Sequence, residues 1–369
     1  MTSRPSRLAG LRDRCAVAGV DTLVVSDLTN IRWLTGFTGS NGVAVVSASG
    51  VALLTDGRYG DQARRQLGEA GIDASVTVSS SSADLLRDLV AACGRCSGTV
   101  GIEADHVTVS THQRWVAALG HDVQPTSGLV EVGRRAKDDD EVVAMSRACS
   151  IADRALAGVA PMLQSGLTET AVRNALETTM RELGATGPSY ETIVASGPRH
   201  AALPHHRPVD RRLEDGDLVI IDVGALVDGY HSDMTRTFVV GVPTQEQLDA
   251  YHLVLEAQAA GLAAVGPGVP ARAVDEACRA VIARAGRADW FTHGTGHGVG
   301  LLIHEEPYLN RTSEAVLRPG DVVTVEPGVY REGFGGIRIE DLVLVTADGC
   351  RPLTATPKDS PCPPSPPMT

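Results

Sequence analysis

The sequence contains few aromatic residues, no cluster of basic residues and no long apolar run. Only 4% of its 369 residues are aromatic, so aliphatic side chains must form most of the core. Lysine and arginine number 33 against 45 aspartates and glutamates, which gives a net charge of −12. A sequence-independent nucleic-acid binder needs clustered cations to displace counterions, so this charge argues against that class. It also disfavours binding to anionic membranes.

No apolar segment reaches the roughly 18 residues that suggest a membrane-spanning helix. Charged residues (Arg12, Asp13 and Arg14) lie where a signal peptide needs its apolar core, so we expect a cytoplasmic protein without a membrane partner. Seven scattered cysteines favour free thiols over a disulfide framework. The pair Cys93 and Cys96 has the spacing of half a zinc site or a redox pair, but without a second pair or a nearby histidine it is interpreted as two ordinary thiols.

The length predicts two domains, and the pattern of the chain changes near residue 132. Before that point, short β-branched runs alternate with helical stripes, which is typical of an α/β domain. We expect strands at 21–26, 43–47, 51–55 and 98–103, and helices at 59–70, 82–92 and 108–119.

The second domain is expected to combine helix pairs with groups of strands in an α+β fold. The predicted helices are 142–160, 168–183, 244–264 and 271–285, and the predicted strands are 218–223, 230–240, 321–326 and 336–345. The charged segment 131–141 is expected to be a solvated linker. The domains are therefore 1–132 and 133–356, followed by a proline-rich tail at 357–369 that is expected to be disordered.

Two aspartates of the second domain lie where a charge is costly. Asp222 ends an apolar run, and an ionised carboxylate there needs a compensating partner. If the Asp-Gly pair after Val227 forms a two-residue hairpin turn, Val227 faces Tyr230 and Asp222 faces Thr235. Asp233 is then the diagonal neighbour of Asp222 on the same face. Two inward acids at that spacing would repel each other unless a cation lies between them.

Two further acids and one histidine occupy similar positions. Glu326 ends an apolar strand, Glu340 lies inside another, and His297 is flanked by glycines. Each residue alone is more simply explained as a turn, surface or loop residue, but that explanation is improbable for all of them together. Four carboxylates and one imidazole suit two divalent cations, and oxygen-rich ligation favours Mn²⁺, Co²⁺ or Fe²⁺.

The segments around these residues resemble one known family. Five segments are similar to the motifs of the two-metal pita-bread (M24-type) peptidases. They are Asp-Val-Gly-Ala from Asp222, Ser-Asp-Met-Thr-Arg-Thr around Asp233, His-Gly-Thr-Gly-His-Gly-Val-Gly around His297, Glu-Pro-Gly-Val-Tyr from Glu326 and Gly-Ile-Arg-Ile-Glu-Asp around Glu340. This family includes methionine aminopeptidases, Xaa-Pro aminopeptidases, Xaa-Pro dipeptidases and the non-metal creatinases. All five ligand positions of the family match.

The resemblance extends over nearly the whole chain, since segments 30–42 and 55–59 are similar to the N-terminal domain of the Xaa-Pro enzymes. It implies an α+β fold, with a pita-bread (creatinase/aminopeptidase-like) C-terminal catalytic domain preceded by an α/β creatinase-like domain. It implies a dinuclear metallo-aminopeptidase that hydrolyses the Xaa-Pro bond at the N-terminus of proline-containing peptides, like aminopeptidase P, with a metal-bridging hydroxide as nucleophile. It also implies a homodimer and two divalent ions, Mn²⁺ first and Co²⁺, Fe²⁺ or Zn²⁺ as alternatives.

The resemblance also implies roles for individual residues. The metal ligands are Asp222, Asp233, His297, Glu326 and Glu340. Glu326 is the implied proton carrier and His304 the donor to the oxyanion, while His205 orients the substrate. The implied substrate contacts are His205, His293, His304 and Arg338. The doubled histidine at 205–206 departs from the glycine that often follows this position, and Arg338 has an alternative role in a salt bridge to Asp341 or another neighbour.

Other functions remain open at this point. An Xaa-Pro dipeptidase (prolidase) is the nearest alternative, because the sequence does not say whether the site takes dipeptides only. A creatinase-like C–N hydrolase would have replaced the metal ligands, and a non-catalytic binding protein would have lost them. The presence of all five ligands favours the peptidase.

Overall fold

The computed structural model describes residues 4–94, 98–120 and 123–363. The chain forms two compact units, Met1–Arg134 and Arg135–Thr369, and this division lies two residues from the boundary at 132 that the sequence predicts. Cys96 lies outside the described residues, and the described cysteines are free thiols. No helix in the described ranges combines the length and the apolar composition that a membrane span requires.

The first unit is a six-stranded sheet with helices between its strands. Its elements in chain order are α1 (Arg4–Val17), β1 (Thr22–Val25), α2 (Leu28–Thr35), β2 (Val43–Ser47), β3 (Gly50–Asp56), α3 (Gly60–Glu69), β4 (Ala74–Ser79), α4 (Ser82–Cys93), β5 (Val100–Glu103), α5 (Val109–Leu119), β6 (Val123–Thr126) and α6 (Glu131–Arg135). The strand order is β4-β3-β2-β1-β5-β6, with β1–β5, β5–β6 and β3–β4 parallel. Leu89 and Trp115 of the helices pack on Val24 and Val45 of the sheet. The predicted α/β unit is therefore confirmed.

The second unit combines helix pairs with several small sheets. Its elements are α7 (Asp139–Val159), α8 (Glu169–Glu182), β7 (Gly187–Pro188), β8 (Ile193–Ser196), α9 (Gly197–His200), β9 (Leu218–Asp222), β10 (Ala225–Val227), β11 (Tyr230–His231), β12 (Thr235–Val239), α10 (Gln245–Ala264), α11 (Ala271–Arg284), β13 (Gly296–Gly298), β14 (Glu305–Leu309), β15 (Val322–Val325), β16 (Gly328–Arg331), β17 (Gly335–Arg338), β18 (Asp341–Val345) and β19 (Cys350–Pro352). Capping boxes at Asp138–Glu141 and Thr244–Gln247 fix the starts of α7 and α10.

Strand β9 is buried on both faces, which brings its C-terminal end into the interior. Ile220 belongs to the core formed with α10 and α11, whereas Val219 and Ile221 belong to the core formed with α7 and α8. Because side chains alternate along a strand, one β-strand supplies both cores. The carboxylate of Asp222, at the end of this strand, is thereby placed between the two helix pairs.

The charged segment 131–141 is not a solvated linker, so that prediction is wrong. Part of it is helical, and Arg134 and Lys137 are 3% and 7% exposed. The Lys137 ammonium donates to Glu305 at 2.7 Å, and Arg135 pairs with Asp321 at 2.6 Å. The basic side chains of Arg135 and Lys137 are therefore compensated by carboxylates far away in the sequence, which a local charge pattern does not reveal.

The tail is ordered where it begins, so the prediction of disorder from residue 357 is wrong for 357–363. The backbone N–H of Val239 donates to the carbonyl of Pro361 at 2.8 Å, and the Lys358 ammonium pairs with the buried carboxylate of Asp341. Proline lacks an N–H but keeps a carbonyl acceptor, so a proline-rich segment can still be held by donors of the domain. Residues 364–369 lie outside the described residues.

Candidate metal centre

The antiparallel pair β9–β12 positions the two aspartates. Val227 pairs with Tyr230 across the Asp-Gly turn, and Asp222 pairs with Thr235, so the predicted register is confirmed. The two turn residues have φ values of 49° and 75°, in the left-handed region that such a turn requires. Asp233 precedes β12 and is 5% exposed. Its carboxylate and that of Asp222 accept hydrogen bonds from one and the same hydroxyl.

The glycines around His297 allow a close approach of neighbouring strands. A Cβ on Gly296 would lie 2.0 Å from the carbonyl oxygen of Thr324, and one on Gly298 would lie 2.4 Å from that of Glu306. Only glycine fits such distances. The backbone N–H of His297 donates to the Thr324 hydroxyl at 3.0 Å, which fixes the imidazole beside the end of β15.

The five predicted ligands converge on one place. The Nε2 atom of His297 lies 3.5 Å from an Asp233 oxygen and 3.4 Å from a Glu326 oxygen. One ligand atom from each of Asp233, His297 and Glu340 lies within 4.8 Å of the others. Asp222 joins the group through the hydroxyl that it shares with Asp233.

Burial and mutual repulsion shift the pKa values of these groups. Desolvation, with the nearby charges of Asp222 and Glu326, raises the pKa of Asp233 well above its ordinary value. Burial also raises the pKa of Glu326, to about 7, and the pKa of Glu340 well above its ordinary value. Desolvation lowers the pKa of His297 to about 4, so its imidazole is neutral near neutral pH. A neutral imidazole keeps the lone pair that a metal ligand needs.

The residues fit a divalent metal centre. Within the described ranges, Oε1 of Glu340 is buried without a hydrogen-bond partner, while Oε2 accepts from Thr235 at 2.7 Å. An unpaired carboxylate oxygen is costly in a protein interior, and a cation would remove that cost. The donor set of carboxylate oxygens with one imidazole nitrogen suits Mn²⁺, Fe²⁺ or Co²⁺.

Arg338 does not pair with Asp341, the neighbour that the sequence analysis named. Its guanidinium is 3% exposed and donates to Asp222 at 2.7 Å, to the Tyr330 hydroxyl at 2.8 Å and to Thr235 at 3.0 Å. The salt bridge that it forms is thus to a strand neighbour inside the site. Its predicted contact with substrate stays a prediction.

The two histidines of the doubled pair point to different surroundings. His205 is exposed and lines the cavity next to the carboxylates. The Nε2 atom of His206 instead lies 3.0 Å from an oxygen of the buried Glu169. The histidine for which the family resemblance implies a substrate role, His205, is the one on the cavity wall.

His293 and His304 differ in burial: His293 is partly buried and hydrogen-bonded, whereas His304 is exposed. His293 is hydrogen-bonded through Nε2 to the Tyr330 hydroxyl at 2.9 Å, and burial lowers its pKa to about 4. His304 is exposed, and its ring centroid lies 4.4 Å from that of His297 at an angle of 77°. Burial of part of its ring lowers the pKa of His304, which favours the neutral form.

The metal ligands and the predicted substrate contacts share one cavity of about 430 Å³. The predicted site residues on its wall are Asp222, Asp233, His297, Glu326, Glu340, His205, His293, His304 and Arg338. Apolar groups, including Ile193, Ile303 and Tyr308, form other parts of the wall. A polar centre beside an apolar wall suits a small ligand that has both polar and apolar parts.

Two tyrosines of the site were missed. The hydroxyl of Tyr190 bridges Asp222 and Asp233, and that of Tyr330 links His293 to Arg338. Tyr330 ends the motif that begins at Glu326, but nothing in the spacing of either tyrosine distinguishes a buried donor from an ordinary core tyrosine. Burial and the nearby carboxylate charges raise the pKa of Tyr190, so its phenol remains protonated and able to donate.

Comparison with known proteins places the chain in a family. The model of metallopeptidase family M24 matches residues 143–347, which is more than half of the chain. The chain belongs to metallopeptidase family M24. The model of the creatinase/prolidase N-terminal domain matches residues 7–136. The predicted architecture, a creatinase-like domain before an α+β pita-bread catalytic domain, is therefore confirmed, and the chain is a hydrolase of the M24 type.

Several relatives cover almost the whole of this M24 chain. The uncharacterized peptidase YqhT of Bacillus subtilis is 39% identical over 355 residues, covering 96% of this chain and 99% of its own. The structure of an Xaa-Pro dipeptidase from Bacillus anthracis has a TM-score of 0.92 at 36% identity, over 97% of this chain and 99% of that one. The structure of an X-Pro aminopeptidase from Thermotoga maritima has a TM-score of 0.86 at 32% identity, over 95% and 98%.

Proposed function

We propose that the chain is a metal-dependent peptidase that hydrolyses the bond between a residue and a following proline. The proposal rests on the convergence of Asp233, His297 and Glu340 beside a cavity of peptide size. It is supported by M24 relatives whose names describe action on Xaa-Pro bonds. Two ions held by Asp222, Asp233, His297, Glu326 and Glu340, with Mn²⁺ as our candidate, would supply Lewis acidity and a bound water of lowered pKa.

The protein groups have separate tasks in this proposal. A carboxylate oxygen of Glu326 accepts a proton from the attacking water and returns it to the proline nitrogen, which then leaves as an amine. His304 donates to the oxygen that becomes negative in the tetrahedral intermediate, and His205 orients the peptide. Each task uses an atom that faces the cavity.

Selectivity for proline has a physical source in the absent N–H. The amide of an Xaa-Pro bond has no hydrogen on nitrogen, so the site needs no acceptor for it. A wall that fits the ring closely would exclude secondary amides. Ile193, Ile303 and Tyr308 offer apolar surface of that kind on this cavity.

The size of the substrate distinguishes two versions of the activity. The family resemblance favours an aminopeptidase P-like enzyme, which acts on longer peptides. A dipeptidase is at least as well supported, because relatives that cover nearly the whole chain include an Xaa-Pro dipeptidase as well as an X-Pro aminopeptidase. Both versions cut the same bond and use the same residues.

The deciding experiment compares Ala-Pro, Ala-Pro-Ala and Ala-Ala-Ala with the purified protein and added Mn²⁺. We expect cleavage before proline. The kcat/KM for Ala-Ala-Ala should be at least about 100-fold lower than that for the better proline peptide, because the wall excludes secondary amides. Cleavage of Ala-Pro alone would assign a dipeptidase, and cleavage of Ala-Pro-Ala an aminopeptidase. Failure to cleave either proline peptide while metal is bound would contradict the proposal.

His304→Ala is expected to reduce kcat by about 100-fold with a much smaller rise in KM, because an oxyanion donor acts mainly in the transition state. Steady-state kinetics on the better proline substrate measure both constants. His252→Ala is the matched control, since His252 is an exposed residue of helix α10. A rise in KM without loss of kcat would make His304 a ground-state binding residue instead.

A further inference from the structure

A second polar cluster lies behind the segment that carries His205. Glu169, at the first turn of α8, is 0% exposed, and its two carboxylate oxygens accept hydrogen bonds from several donors. The donors are the backbone N–H and hydroxyl of Ser196, the backbone N–H of Val209, and the rings of His200 and His206. We call these five residues the Glu169 cluster.

The Glu169 cluster is internally satisfied. Burial would raise the pKa of Glu169, but the hydrogen bonds from Ser196, His206 and His200 outweigh it and hold the pKa below its ordinary value. The rings of His200 and His206 stack with centroids 4.2 Å apart, and each places one nitrogen 3.0 Å from the carboxylate. Glu, His and His can also bind a metal, but this carboxylate already accepts donors on both oxygens and needs no cation.

The Glu169 cluster holds both ends of one segment. Ser196 precedes the segment and Val209 closes it, so the chain from 196 to 209 leaves the buried carboxylate and returns to it. His205 lies inside this excursion. Its two neighbours are each held: the carbonyl of Pro204 accepts from Arg338 at 2.9 Å, and the ring of His206 contacts Glu169.

We propose that Glu169 and His206 are positioning residues that hold the backbone around His205 and thereby place its side chain at the cavity wall. This inference rests on the proposed function, because it assigns His205 to substrate. The residues on both sides of His205 are held by buried partners, so the backbone position from which its side chain extends is set before substrate binds. The imidazole of His206 contacts Glu169, and a glycine at this position could not make that contact.

The first test is a double-mutant cycle on a proline peptide. His206→Ala is expected to lower kcat/KM about tenfold, with the same division between kcat and KM as His205→Ala. Because His206 acts through its neighbour, the double variant should match His205→Ala within about twofold. His206→Gln keeps a side-chain donor and should recover part of the loss. Additive losses in the cycle, or no loss in His206→Ala, would overturn the proposal.

His252→Ala is the matched control. It removes an imidazole from an exposed position on helix α10, and His252 belongs neither to the Glu169 cluster nor to the cavity wall. Its kcat/KM should stay within about twofold of the parent. A loss equal to that of His206→Ala would show that removing any histidine lowers the activity, and it would overturn the assignment of positioning to His206.

A second measurement does not depend on activity. In NMR spectra of protein with isotope-labelled histidine rings, the signal of His205 is identified as the one that is missing from the spectrum of His205→Ala. It should shift or broaden in His206→Ala and stay in place in His252→Ala. An unmoved signal would reject positioning even if the enzyme is active, and a moved signal would support it even if Ala-Pro and Ala-Pro-Ala are not cleaved, so the two proposals fail separately.

Discussion

Asp233→Asn is expected to reduce kcat by about 100-fold or more while leaving the fold intact. A 100-fold loss corresponds to about 2.7 kcal/mol at the transition state. The substitution preserves the shape of the side chain and removes its negative charge. The lost charge faces His297 at 3.5 Å and belongs to the group of atoms that could hold a cation. Metal content per chain should fall together with kcat.

Asp228→Asn is the matched control for this experiment. It makes the same chemical change in the hairpin turn between the two aspartates, at a residue that is exposed and has a φ of 49°. Asparagine tolerates that conformation, so the variant should keep the activity and metal content of the parent. Activity of Asp233→Asn above about a tenth of the parent would contradict two-metal catalysis, because losing a ligand should cost more than that.

The register of β9 and β12 shows why part of the site can be derived from sequence. A two-residue turn fixes which residues pair, and the period of two along a strand then fixes which face they share. The positions of Asp222 and Asp233 follow from these local rules. The glycines around His297 and the charged residues at the strand ends match the motifs of the family. The residues of the site could therefore be predicted from the sequence without any distance.

The parts that were not predicted depend on contacts between distant segments. Lys137 and Glu305 form a buried pair across 168 positions of sequence, and Glu169 and His206 do so across 37. Neither pair leaves a periodic signal, because each residue alone looks like a surface charge. Composition likewise predicts a disordered tail, because it contains no information about contacts with the rest of the chain. Here Val239 forms a hydrogen bond with Pro361, and Asp341 forms an ion pair with Lys358.

Glu340→Gln is expected to raise the melting temperature of the metal-free protein and to remove most of its stabilisation by metal. The pKa of Glu340 is raised in the folded state, so its ionised form is destabilising above the ordinary carboxyl pKa, and stability falls as pH rises toward the raised value. Glutamine has no charge to desolvate, and its amide nitrogen can donate to the neighbouring carboxylates. In the parent, metal at 100 times its Kd should add about 2.7 kcal/mol, or roughly 5–10 °C.

Thermal unfolding of parent and variant, each with chelator and with Mn²⁺, separates these effects. The chelated parent should melt below the chelated variant at pH about 8, and the difference should shrink toward pH about 5 as the carboxylates take up protons. Adding Mn²⁺ should reverse the order, because only the parent keeps the full ligand set. The control is Glu246→Gln, at an exposed glutamate near the start of α10. It should leave the melting temperature almost unchanged, both with chelator and with Mn²⁺, because surface substitutions have small effects on stability. Equal stabilisation of parent and Glu340→Gln by Mn²⁺ would mean that Glu340 binds no metal, and the unpaired oxygen would then need another explanation.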